Sequence, residues 1–138
     1  MKTRKAEQMF KDELMSTHPC QSIEELAPYI KMNPQSKKAW VKRLRSGEYK
    51  QGRVYLGARY SGGNTTYCCL GVLGVQTREC KWVSAFNNKQ ILHTPTGSSA
   101  TLEDGHRGLR SDVQRSLAYI NDEGVTFKQI ANIIEKYL

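Results

Sequence analysis

Apolar residues recur at two different periods along this chain, and the order of those periods restricts the fold. Between Thr3 and Ser16, residues Ala6, Met9, Phe10 and Leu14 fall near one side of a helix with Lys, Glu and Asp opposite. From Arg53 to Leu70 the chain turns to β-type residues interrupted by Ser61-Gly62-Gly63-Asn64, which reads as a hairpin of Arg53–Tyr60 against Thr65–Cys69. After Ser111 the spacing is helical again. Helices at both ends around a β centre predict an α+β fold, with N- and C-terminal helices packed around a small antiparallel β element.

Local signals set the boundaries. Ser22 and Glu25 form a capping box, but Pro28 removes a donor inside the run, so the second helix is short or kinked and ends before Asn33-Pro34. Ser36 is expected to cap a third helix through Ser46, closed by Gly47 in the left-handed conformation, with Trp40, Val41 and Leu44 inward. Leu70–Val75 is apolar with two glycines and reads either as a buried short helix or as a continued strand. Trp82-Val83 and Ile91-Leu92 are expected strands, and Thr94–Gly108 is a loop by composition, expected to move most. Ser111 is expected to cap a helix that turns Val113, Leu117 and Ile120 inward and closes near Gly124. Thr126 and Gln129 form a second capping box, opening a helix with Phe127, Ile130, Ile133, Ile134 and Tyr137 on its inner face. With 138 residues and no visible linker or repeat, residues 1–138 are expected to form a single domain.

The net charge of +8 has one origin. Lys31 to Arg59 holds nine Lys/Arg against Glu48 alone, while the other residues carry twelve of each sign. Lys38, Lys42 and Arg45 recur at spacings of four and three on the third helix and share one side, where like charges repel by roughly a few tenths of a kcal/mol per pair. Such a face reads either as a solvated lysine-rich surface or as a site for an anionic partner. The candidate binding residues are Lys37, Lys38, Lys42, Arg43, Arg45, Lys50, Arg53 and Arg59, with Tyr49, Tyr55 or Tyr60 available to stack on a base. The partner is expected to be nucleic acid, a nucleotide signal or an acidic host protein, and Trp40 or Trp82 offers an anchor for a protein.

Other chemistries have weaker footing. Cys68 or Cys69, before a possible helix, is the candidate nucleophile of a hydrolase or transferase, with His93 or His106 as base and Asp104 or Asn87 to orient it. The alternative is that both thiols pack in the core. The adjacency of Cys68 and Cys69 and the absence of a secretion signal favour reduced thiols over disulfides. Neither these cysteines with Cys80 nor His18-Pro19-Cys20 has the paired spacing of a stable zinc site, and no phosphate-binding glycine motif occurs, so no metal and no cofactor are expected. Thr126–Leu138 opens as recognition helices do but is too apolar to lie in a DNA groove. No apolar run approaches the roughly 20 residues that span a bilayer, so no membrane partner is expected.

Three blocks carry a resemblance: W-V-K-R-L-R-S-G-E-Y-K-Q-G from Trp40 to Gly52, Y-C-C-L-G-V-L from Tyr67 to Leu73, and I-N-D-E-G-V-T-F-K-Q-I-A-N-I-I-E from Ile120 to Glu135. Their order and combination resemble a family of small tailed-bacteriophage proteins in which a W-x-x-x-L-R-S-G-x-Y-x-Q block precedes Y-C-C-L-G-V-L and a terminal N-D-x-G-x-x-F-x-x-I-A helix. Many members carry a further cysteine where this chain has Gly74. The resemblance implies a phage accessory protein acting in the host bacterial cytoplasm, for host takeover or defence evasion, without implying a mechanism.

Overall fold

The computed structural model describes residues 3–138. Helix α1 (Thr3–Met15) buries Ala6, Phe10 and Leu14, and packs along α5 (Ser111–Asp122). Helix α2 (Ile23–Leu26) starts in the capping box of Ser22 and Glu25 and tightens into a single 3₁₀ turn at Ala27–Tyr29, where Pro28 interrupts it. Helix α3 (Pro34–Arg45) buries Trp40, Val41 and Leu44 and lies on α6 (Phe127–Tyr137). Its cap is Asn33 rather than Ser36: the Asn33 side chain accepts the Ser36 N–H at 2.9 Å, and Pro34 takes the first helical position, where a missing N–H leaves nothing unsatisfied. Gly47, at φ +79°, closes it.

Ser111 is likewise the first residue of α5 and not its cap. Its N–H donates to the Asp104 carboxylate at 2.9 Å, so the loop before the helix supplies the acceptor. Gly124 makes the left-handed turn between α5 and α6 at φ +94°, and Thr126 with Gln129 caps α6. Helix α6 buries Phe127, Ile130, Ala131, Ile133, Ile134 and Tyr137, and is a core helix.

Four strands, β1 (Gly57–Arg59), β2 (Thr65–Tyr67), β3 (Lys81–Ser84) and β4 (Gln90–His93), form one antiparallel sheet in the order β2-β1-β4-β3. The β1–β2 hairpin is shorter than the sequence predicts. The pairing ends at Leu56, whose carbonyl still accepts the Cys68 N–H but whose own N–H donates to the Ser99 carbonyl, and Tyr67 is bridged on its other side by Gln51, in parallel. Gly57 faces Tyr67 across one side and the Trp82–Leu92 pair on the other. A Cβ there would sit 3.1 Å from the Trp82 ring and 3.2 Å from Leu92, so the glycine gives Trp82 room to approach Tyr67, with ring centroids 6.1 Å apart.

The glycine-containing apolar run is a helix, α4 (Cys69–Gln76), buried on every side over its first six residues. Gly71 is the reason it can lie where it does. A Cβ at that position would fall 1.7 Å from the Leu56 carbonyl oxygen, so the helix backbone rests directly on the segment entering β1. At Gly74 a Cβ would lie 2.6 Å from the Cys80 sulfur.

Two buried amides hold the irregular segments. Gln114 accepts the Leu102 N–H at 2.8 Å and donates to the Glu103 and Leu109 carbonyls, pinning the 94–108 loop to α5. Asn121, 0% exposed, accepts from the Cys69 N–H at 3.2 Å and the Gln51 side chain at 3.0 Å, and donates to the Gly52 carbonyl at 2.9 Å. Gln51 in turn donates to the Val125 carbonyl and accepts the Phe127 N–H, and the Trp40 indole donates to the Cys69 carbonyl. A single hydrophobic cluster extends from Ala6 to Leu138 around these groups.

Candidate anion-binding surface

The fold separates the nine cations of the basic stretch into three settings. Lys31 belongs to the scaffold: its ammonium donates to the Tyr137 carbonyl at 2.9 Å, at the C-terminal end of α6, where a cation is favoured. Lys37, Lys38, Lys42 and Arg45 line one groove of about 680 Å³ along α3, floored by Pro34 and Val41 and closed by Ser46 and Glu135 of α6. Arg43, Lys50, Arg53 and Arg59 lie outside that groove.

Within the groove, Arg45 is committed. Its guanidinium makes a two-pronged contact to Glu135, at 3.0 and 3.2 Å, and a 2.8 Å bond to Asn132, which holds the Glu135 carboxyl below its usual range. No carboxylate lies within ion-pair distance of Lys37, Lys38 or Lys42 among the described residues. Lys42, Arg43 and Arg45 occupy the last turn of α3, where the helix dipole favours them. Lys37 and Lys38 stand near its start, where no acidic residue balances the dipole and a cation gains nothing from it. The helix dipole therefore accounts for three of the α3 cations; of the other two, Lys37 helps to hold the Glu135 carboxyl down across the groove, and Lys38 has no such partner among the described residues.

Arg43 turns away and donates to the Tyr49 hydroxyl at 2.7 Å. Tyr49 meets Tyr67 edge-on at 5.4 Å, Tyr67 meets Trp82 at 6.1 Å, and the Arg59 guanidinium lies over the Trp82 ring at 4.2 Å. These side chains make a continuous cationic and aromatic row from α3 to β3. Burial pushes the Tyr67 hydroxyl up from its ordinary pKa. Tyr55 and Tyr60 both carry the Lys89 ammonium over their rings, at 5.3 and 5.8 Å. Lys50 and Arg53 are exposed, with Arg53 beside Gly124. Sequence reasoning missed Phe86 and Lys89. The signal was Asn87-Asn88 between two β-type runs, since consecutive asparagines suit a tight hairpin turn with positive φ at both central residues.

The cysteines are placed against nucleophilic chemistry. All four are free; Cys68 and Cys69 are buried, and burial pushes the Cys68 thiol up to about 12 and that of Cys69 well above its ordinary value. His106 bonds Thr77 at 2.9 Å, at the other end of α4 from Cys69, roughly 12 Å away at 1.5 Å per residue. Asp104 is occupied with α5, and Asn87 lies in the β3–β4 turn. Iodoacetamide at neutral pH is expected to label exposed Cys20 in the folded protein and to leave Cys68 and Cys69 unmodified until denaturant is added, as mass spectrometry of the digest would show. Fast labelling of either buried thiol would restore the enzyme reading.

Among the described residues, no group of His, Cys, Asp and Glu is arranged to hold a metal ion, and no helix is long and apolar enough to cross a membrane. A family model described as a domain of unknown function, DUF8296, matches residues 32–103, more than half of the chain. No curated protein and no solved structure matches.

Proposed function

Because the chain belongs to the DUF8296 family of domains, whose function is unknown, we propose its role from charge and geometry: it is a non-enzymatic protein that binds nucleic acid through the α3 groove. The observation that carries this reading is the set of Lys37, Lys38 and Lys42 around one open groove, none within ion-pair distance of a carboxylate among the described residues. Ammonium groups on flexible stems suit a repeating phosphate backbone, whose condensed counterions are released on contact. A nucleotide signal or an acidic host protein is the competing occupant. Within this proposal, the resemblance to phage proteins sets the binding in the cytoplasm of an infected bacterium, in host takeover or defence evasion.

The test is a filter-binding titration of labelled DNA at several salt concentrations. The logarithm of affinity is expected to fall linearly with the logarithm of salt, and the double variant K38Q/K42Q to flatten that slope by about two. Both lysines are exposed and their removal relieves repulsion, so the variant should melt at or above the wild-type temperature. No binding of nucleic acid in dilute buffer, or a slope unchanged in the variant, would overturn the reading.

A further inference from the structure

At the end of the sheet away from α3, the β1–β2 and β3–β4 turns enclose a second cleft, of about 400 Å³, lined by Arg59, Tyr60, Ser84, Ala85, Asn88, Lys89 and Gln90. It contains two cations and no carboxylate. Arg59 is held in place from two directions, over Trp82 and by a 3.2 Å bond to the Gln90 side chain. Lys89 is held over Tyr55 and Tyr60. Three residues before Lys89, Phe86 is 89% exposed at the head of a turn in which Asn87 and Asn88 take φ of +62° and +59°, the Lys89 N–H returning to the Phe86 carbonyl at 3.3 Å. A large apolar ring held out in water on the same turn that carries Lys89 has no packing role in this chain.

We infer that this cleft binds a single-stranded nucleic acid, with a backbone phosphate between Arg59 and Lys89 and an unpaired base stacked on Phe86. Charge complementarity selects the ligand: a cleft with two positive side chains and no acid suits a phosphate, and its volume suits a small group. The free ring selects the strand, because a base offers its face to an aromatic side chain only where it is unstacked from its neighbours. Ser84, Asn88 and Gln90 supply hydrogen-bonding groups around the phosphate and sugar. The inference rests on nucleic acid being the ligand, as proposed above, but places the contact on different elements, so the two can fail separately.

The experiment is fluorescence anisotropy of an end-labelled oligothymidine of roughly 15 nucleotides, and of a duplex of the same length, against the full chain at low ionic strength. The variants are Phe86→Ala, Phe86→Leu, Phe86→Trp, Lys89→Gln and K38Q/K42Q. Phe86 is so exposed that its replacement should leave the melting temperature unchanged, which circular dichroism checks. The wild type is expected to prefer the single strand. Phe86→Ala and Phe86→Leu are expected to weaken it about 10-fold while Phe86→Trp retains it, since stacking needs a ring and an apolar contact does not. Lys89→Gln should weaken binding several-fold and lower the salt slope by about one. Oligonucleotide binding equal in wild type and Phe86→Ala would overturn the inference and leave the α3 reading standing. Loss in Phe86→Ala with none in K38Q/K42Q would support the inference and remove the α3 groove. Retention by Phe86→Leu would show that no ring stacks on a base and overturn the inference, and absence of any oligonucleotide binding would overturn both.

Discussion

Alanine in place of Gly71 is expected to remove a large part of the protein's stability. The added methyl would lie 1.7 Å from the Leu56 carbonyl oxygen, and this neighbour is backbone, not the end of a flexible side chain. Leu56 cannot easily retreat: its N–H is bonded to Ser99 and its carbonyl accepts the Cys68 N–H at 3.0 Å. Relief would require α4 to lift off the segment it rests on, breaking contacts of Cys69, Leu70 and Val72, all buried. Overpacking of this kind costs about 3 kcal/mol or more, against the 5–15 kcal/mol that stabilises an ordinary domain. Thermal unfolding followed by circular dichroism should show a midpoint lower by roughly 10 °C or more, or no cooperative transition. Gly62→Ala is the control, because a Cβ there meets nothing within 4 Å and the change should stay within about 0.5 kcal/mol. A Gly71→Ala protein that melts with the control would show that α4 does not rest on Leu56.

Asn121→Leu is expected to cost a comparable amount by a different route. The substitution keeps the branched outline, though its methyl groups are bulkier than the amide, and removes the acceptor of the Cys69 N–H and of the Gln51 side chain, and the donor to the Gly52 carbonyl. Each buried polar group left without a partner costs about 1–3 kcal/mol, so a total loss of roughly 3–5 kcal/mol should appear as a lower urea midpoint at unchanged slope. Asn121→Asp should not rescue it: the carboxylate retains the acceptor but cannot donate to Gly52, and its charge would be buried. A midpoint within error of wild type would mean that water or a shifted backbone replaces these bonds.

The same hub explains what the resemblance blocks encode. Trp40 and Gln51 come from the first block, Cys69 from the second, and Asn121, Val125 and Phe127 from the third, and hydrogen bonds join all of them. These residues assemble the fold, while the candidate surfaces use others. The helices were legible in the sequence because capping boxes and apolar spacing act within a few residues. The caps of α3 and α5 were misread because Ser36 and Ser111 resemble caps locally; Pro34, which prefers the first helical position, already pointed to Asn33, whereas Asp104 acts from across a loop. The basic surface was legible as charge but not as shape. Arg43 turns to Tyr49 in the segment after α3, Arg59 lies over Trp82, whose position depends on strand register, and α4 packs on Leu56 through a contact that no local pattern announces.

The hub also separates two boundaries that are easily confused. The segment delimited by the family pattern stops at residue 103, yet α3 has its most extensive packing on α6, the Cys69 amide finds its acceptor at Asn121, and the Leu102 amide finds its own at Gln114. A polypeptide trimmed to the matched segment would present bare backbone amides and the stripped inner face of α3 to solvent. The autonomous folding unit is therefore larger than the region the pattern marks, and a minimal fragment for expression has to retain both C-terminal helices.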